Sequence, residues 1–440
     1  MATTYLTYTP SSAKTSDYKA TLSFWVKRTE LDSGTNFHGI LSSNTGWDSG
    51  NGYGIGFYKD YLIWYKMNSS ASNNRTHTAR KFRDCSGYYH IVYKIDTTQV
   101  SANDRIKLYV NGVYEGAFTT NVDKLPAQNT APFEFFENGD IQCIGSGQGG
   151  GGTYSGMILS HFYFIDGLAY EPTVFGSTDA ITGEWKINTS PSVTYGNNGF
   201  LILKDGNTIT DQSTNSNDFT LGGGTLTNTE DCPSDVFATY NRLDNYFASS
   251  TFSNGNTTIV TNSTNTTYNT STLGIPPTMK CYWEAKFDTV QAANGEVGIV
   301  NTPTTGSAAG GGASRLYYQT YGISVNDYGA IWADNADTTI TLGTLSTSDI
   351  VCFAWDGVNQ ALYVRKNGDA WINSGDPTSG ASKTGTVKSF SGTSLTMFPA
   401  VGDQSGSHAV GTSTNFGNGY FGTTAVSSAG TNASNIGIFE

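Results

Sequence analysis

The sequence predicts an all-β protein made of two tandem antiparallel β-sandwiches joined by a loop-rich connector. Three observations predict it. The chain has 440 residues, too many for one ordinary sandwich and enough for two self-sufficient cores. Its composition is 13% aromatic but only 14% charged, with 52 Gly, 26 Tyr and 23 Phe, and it is poor in most of the residues that build long helices. Its apolar residues recur with a period close to two, separated by Gly, Asn and Asp clusters that suit tight turns.

Strand patterns begin near the N-terminus. In ATLSFWVKRTE, Leu22, Phe24 and Val26 alternate with Ser23, Trp25 and Lys27. GYGIGFYKDYLIWYKM follows with Asp60 near its turn, then GYYHIVYKID (87–96) and RIKLYVNGVYEG. Asn111-Gly112 in the last of these is a two-residue hairpin signal between alternating strands. MILSHFYFIDGLAY (157–170) carries the next long alternation, and GFLILKDG (199–206) reads as a buried closing strand. Residues 1–205 are therefore assigned to one sandwich.

Residues 206–270 change character. Thr, Ser and Asn dominate, GGG interrupts at 222–224, and 254–272 is almost free of charge and of large apolar groups. This stretch reads as a connector of loops and short edge strands. Residues 271–440 form the second sandwich, with CYWEAKFDTV, EVGIVNT, YGISVNDYGAIWAD, DIVCFAWDGVNQALYVRKNG, LTMFPAVGD and NFGNGYFG as its strands. Asp356-Gly357 and Asn367-Gly368 bracket ALYVRK in a further hairpin pattern.

Charge and cysteine usage narrow the function. Residues 1–120 hold 13 Lys/Arg against 9 Asp/Glu, whereas the remainder holds 11 against 27, giving a net charge of −12. Such an acidic shell argues against nucleic-acid binding, which needs a basic surface. Cys85, Cys143, Cys232, Cys281 and Cys352 are odd in number and contain no CxxC pair, so neither a disulfide framework nor a zinc site is expected. No apolar run is long enough to span a membrane, and MATTYLTYTP lacks the features of a signal peptide. Synthesis in a reducing cytoplasm without membrane insertion is the expectation.

Two resemblances follow from these segments. Residues 1–205, through SFWVKR, HIVYKID, KLYVNGVYEG and LSHFYFIDGLAYEP (159–172), resemble the laminin-G or concanavalin-A-like jelly-roll group. The last segment, continued by FG, GEWK and YGNNGFLILKD, is similar to one found in tail-fibre and other structural proteins of phages. The chain departs from that pattern at DQSTNSND (211–218) and DCPSDVF (231–237). Residues 279–421 resemble the SPRY/B30.2 sandwich through MKCYWEAKF, GEVGIV, ALYVRKNGDAW and NFGNGYF.

The phage resemblance implies a virion surface protein, a tail fibre or appendage attaching to host glycans, with other virion proteins as partners and a homotrimer as its assembly. The sandwich starts within about twenty residues of Met1, with no preceding anchor or coiled coil. That leaves a capsid or tail decoration protein with no ligand as the alternative. A cellular lectin or glycan hydrolase is the third reading.

No catalytic residues are expected. The paired-carboxylate pattern E-x-D-x-x-E is absent, and Glu284 and Asp288, four apart on one strand, lie ~13 Å apart, too far for a glycosidase pair. Glu284 reads as a rim or hairpin residue. His38, His77, His90, His161 and His408 are scattered, no G-x-S-x-G elbow is present, and His90 and His161 read as hydrogen-bonded wall residues. No cofactor is expected. Calcium at a loop rim is left open: Asp60, Asp96, Asp104 and Asp166 lie at strand ends, where an Asx residue serves equally well as a turn former.

Sugar faces are apolar C–H patches edged by hydroxyls, so they suit an exposed aromatic beside Asn or Asp. The loop 44–54 offers Trp47, Asp48, Asn51 and Tyr53, and the stretch 326–337 offers Tyr328, Trp332 and Asp334. Arg75, Arg80, Lys81 and Arg83, with His77 among them, form the sharpest cationic cluster, a docking patch or a solvated loop.

Overall fold

A computed structural model of the chain describes residues 3–31, 37–43, 53–66, 74–116, 125–131, 135–147, 153–204, 208–244, 249–290, 294–301, 315–404, 407–431 and 434–440. Among these residues every paired strand is antiparallel, and the helical pieces are single 3₁₀ turns. None is long and apolar enough to cross a membrane.

The chain divides into two compact units. One comprises Met1–Asn228 with Cys232–Val236, the other Thr229–Asp231 with Phe237–Glu440. The first unit has a seven-stranded sheet in the order Thr220–Gly223, Tyr5–Tyr8, Gln142–Ile144, Phe37–Ser43, Tyr53–Tyr58, Tyr61–Lys66, Asn74–Lys81. Its six-stranded sheet runs Phe200–Ile202, Met157–Asp166, Lys19–Arg28, Tyr89–Asp96, Ile106–Val110, Val113–Tyr114. Strand alternation builds the core: Leu22, Phe24 and Val26 meet Ile91, Tyr93, Leu108, Ile55 and Phe57 in one buried cluster. At the Asn111-Gly112 turn both φ angles are positive, 48° and 76°, and Val110 pairs with Val113, the two-residue hairpin that the sequence predicts.

The second unit repeats the arrangement. Its seven-stranded sheet runs Thr251–Ser253, Thr258–Val260, Gly411–Asn415, Lys280–Phe287, Ile350–Asp356, Ala361–Lys366, Lys388–Ser389. Its six-stranded sheet runs Thr267–Thr270, Phe398–Asp403, Gly295–Val300, Ile323–Asn326, Ala330–Ala333, Ala336–Thr341. Trp283, Phe287, Val297, Ile299, Ile323, Phe353 and Trp355 fill the space between the two sheets.

Residues 206–270 are shared between the units rather than standing apart as a connector. Thr220–Gly223 closes an edge of the first unit, while Thr251–Ser253, Thr258–Val260 and Thr267–Thr270 are outer strands of the second. The physical reason is that Thr suits a pleated surface and its hydroxyl can satisfy an edge. Thr7 and Thr220 share a hydroxyl hydrogen bond of 2.9 Å, and Thr258 and Ser413 one of 3.0 Å.

Candidate ligand-binding site

In the six-stranded sheet of the second unit, Val297, Ile299, Ile323, Val325, Ile331 and Ala333 point into the core. With a two-residue period, Glu296, Val300, Ser324 and Trp332 must face the other way. The 3₁₀ turn Leu316–Tyr318 lies over this outward face, and Leu316 is buried there with Tyr268, Val300 and Ala400.

A carboxylate anchors the turn. Glu296 is fully buried, its Oε2 accepts from the backbone N–H of Leu316 at 2.9 Å, and its Oε1 accepts from Ser324 Oγ at 3.0 Å and Gln404 Nε2 at 3.4 Å. Burial pushes its pKa up to about 7, against the stabilising pull of those donors and of the nearby Arg315 charge. The turn is held further by Asn335 N–H donating to Tyr317 O at 2.7 Å and by Gln319 Nε2 donating to Arg315 O at 3.0 Å.

Anchored in this way, the turn presents an aromatic group with one cation. The Tyr317 ring lies 5.0 Å from that of Trp332 and 4.7 Å from that of Tyr318, nearly perpendicular to the latter. Arg315 Nη1 donates to Tyr317 OH at 3.0 Å and Tyr318 OH at 3.3 Å, and its guanidinium stands 5.3 Å from the Tyr318 ring centre. Tyr317 is buried, Trp332 is half-buried and Tyr318 is 39% exposed. Asp337 stands directly across from Trp332 in the strand register and is exposed.

The sequence-predicted site residues are only partly brought together. Trp332 lies in this aromatic group. Tyr328 is half exposed but sits on the turn before the strand that carries Trp332. Asp334 accepts from the N–H of Tyr321 and pairs with Lys388 at 2.8 Å. In the first unit, Trp47, Asp48 and Asn51 lie outside the described residues. Tyr53 is a core residue, 3% exposed and edge-on to Phe135, so its ring offers no surface platform. Its Gly-rich neighbourhood suggested a loop, but Tyr53 opens a strand. Arg315, Tyr317 and Tyr318 escaped the sequence reading because they follow a Gly/Ser/Ala-rich run with no period. The triplet of two tyrosines after an arginine was the available signal.

The cationic cluster is largely compensated within its own unit. Arg80 pairs with Glu115 at 3.2 Å, and Arg83 pairs with Asp60 at 2.8 Å. Asp60 also takes the buried Arg28 at 3.0 Å. Lys81 stands 5.0 Å over the Tyr61 ring, and the side chain of Arg75 lies outside the described residues. Of the carboxylates considered for calcium, Asp96 caps Thr98 and Gln99, Asp104 pairs with Lys107 and Asp166 accepts from Thr15 and Asn198 backbone N–H groups. Asp60, the fourth, is the one tied to the two arginines. Among the described residues no group of three His, Cys, Asp or Glu has metal-binding geometry.

Two buried groups bear on catalysis. His90 stacks on Trp25, lies nearly coplanar with Trp185, accepts at Nδ1 from the Trp185 indole N–H at 2.9 Å and meets Ser23 Oγ at Nε2, also 2.9 Å. Burial lowers its pKa to about 3, so it is a neutral wall residue in the working pH range. Glu284 is not the rim or hairpin residue expected. It is fully buried in mid-strand, where Tyr282 OH, Asn415 Nδ2 and the Glu440 N–H donate to it.

Residues 1–160 match a family described as the concanavalin A-like lectin/glucanases superfamily. No curated protein matches the chain. Among solved structures, the SPRY domain of human HERC1 is 14% identical at a TM-score of 0.30, covering 38% of this chain and 91% of that one. The CBM40 module of a Ruminococcus gnavus sialidase, bound to sialyllactose, is 17% identical at 0.24, covering 33% and 75%. A Trypanosoma rangeli sialidase is 16% identical at 0.23, covering 35% of this chain and 21% of that one. The chain is an all-β protein of two antiparallel sandwich units, the first of which matches the concanavalin A-like family over residues 1–160.

Proposed function

We propose that this protein binds glycans without catalysis, as a virion surface protein mediating attachment of a phage to its host. The observation that carries the glycan reading is the aromatic face of the second unit, where exposed Tyr318 and half-buried Trp332 stand beside a guanidinium and a carboxylate. An aromatic ring can take the C–H face of a sugar while the polar groups beside it bond the hydroxyls. The lectin/glucanase family match of the first unit lends further support. The virion part of the reading rests on the likeness of Leu159–Pro172 and its continuation to phage structural proteins.

A single shallow site of this kind binds at about millimolar strength, near −4 kcal/mol. Display in several copies on a virion, as a trimer with other virion proteins as neighbours, raises avidity by ~10² to 10⁴. The protein is then made in the host cytoplasm and ends on the particle surface. A glycan array probed with the purified chain, together with imaging of labelled particles, tests both parts. Retention of no glycan by a folded chain leaves the decoration-protein alternative in place.

A further inference from the structure

The aromatic face holds a cation whose use is not yet explained. Among the described residues Arg315 donates from Nη1 to two tyrosine hydroxyls, and its shielded Nε finds no acceptor. Among the described residues no carboxylate forms an ion pair with it. Glu296 lies nearby, but its oxygens are engaged by Leu316, Ser324 and Gln404. By contrast, Arg28, Arg80 and Arg83 each pair with a carboxylate of the first unit. Arg315 is therefore a guanidinium held in place by tyrosines, beside an exposed ring, with its charge unmatched by an ion pair.

With Nη1 engaged by the two hydroxyls and Nε shielded, Nη2 is the nitrogen left to donate to a carboxylate, and such a charge-assisted hydrogen bond is about twice as strong as a neutral one. Near neutral pH the burial of Glu296 leaves it partly protonated, which weakens the one internal charge able to compensate Arg315. We propose that this face selects glycans bearing a carboxylate, with the acid group on Arg315 and a sugar C–H face on Tyr318. This selectivity rests on the glycan-binding reading above and names its substrate class.

The test uses the full chain and matched ligand pairs: sialyllactose against lactose and sulfated lactose, and a galacturonate trimer against its methyl ester. The expected result is at least about tenfold tighter binding of each carboxylated member than of its neutral counterpart. Arg315→Gln is expected to erase that ratio, so that each carboxylated member binds no tighter than its neutral counterpart. The ligand pairs need no variant, so a misfolded substitution does not blunt the test. Equal binding within both pairs overturns the selectivity and leaves glycan binding standing. Preference for sulfated lactose over sialyllactose overturns the choice of carboxylate. Failure of the folded chain to bind any of these sugars overturns the selectivity for them, and retention of none across an array overturns the glycan reading itself.

Discussion

The backbone N–H of Leu316 donates to Oε2 of Glu296 over 2.9 Å and 20 residues of sequence, and so ties the tyrosine turn to the sheet beneath it. A fully buried carboxylate is costly unless it is well bonded, and its position shows in its pKa. The folded value of about 7 lies above the ordinary 4.5, so the folded state binds the extra proton between those values. The contribution of Glu296 to stability is therefore complete below about pH 4.5 and is lost as pH rises through about 7. Glu296→Gln keeps an acceptor for Leu316 and removes the titration. Denaturant melts of the chain and the variant at pH 5 and pH 8 should differ in their pH dependence by roughly 2 kcal/mol or slightly more. Parallel pH dependences would show that Glu296 is not buried as described.

His90 gives a prediction of opposite sign. Its folded pKa of about 3 lies below the unfolded 6.5, so its stabilising contribution is present above pH 6.5 and fades as pH falls toward 3. The indole N–H of Trp185 can only donate, so His90 Nδ1 must accept and Nε2 carries the proton. Nitrogen chemical shifts of the imidazole should report this single tautomer, unchanged from pH 8 to pH 5. Ordinary titration near pH 6.5 would contradict the stacked, buried position.

Asp60 holds two arginines, one buried and one exposed. Removing its charge strands Arg28, whose pKa burial already lowers despite Asp60. Asp60→Asn keeps a residue that tolerates its φ of 65° and isolates the electrostatic effect. Thermal or urea unfolding should show a loss of about 3–5 kcal/mol in the first unit. Arg83→Ala, at an exposed side chain, should cost less than about 1 kcal/mol. Equal effects of the two would show that the buried pair carries no special weight.

The strands were legible in the sequence because a period of two and Asx-Gly turns are local signals, as Leu22–Val26 and Asn111-Gly112 illustrate. The candidate site was legible at Trp332 alone. Its companions depend on a contact between Leu316 and Glu296 that no local pattern records. Glu284 was misjudged for the same reason, since its donors Asn415 and Glu440 lie 131 and 156 residues away. At Tyr53 the error was one of context: glycine around an aromatic marks a loop or a close-packed strand, and here the strand prevails.

The central claim is that the face bearing Tyr318 and Trp332 binds glycans, and one glycan array probed with three proteins tests it most directly. The intact chain should retain a subset of glycans, Tyr318→Ala should lose them by about tenfold or more, and Tyr328→Ala, altered on the turn before the Trp332 strand, should match the intact chain. Undiminished retention by Tyr318→Ala, or retention of no glycan by the intact folded chain, would contradict the account.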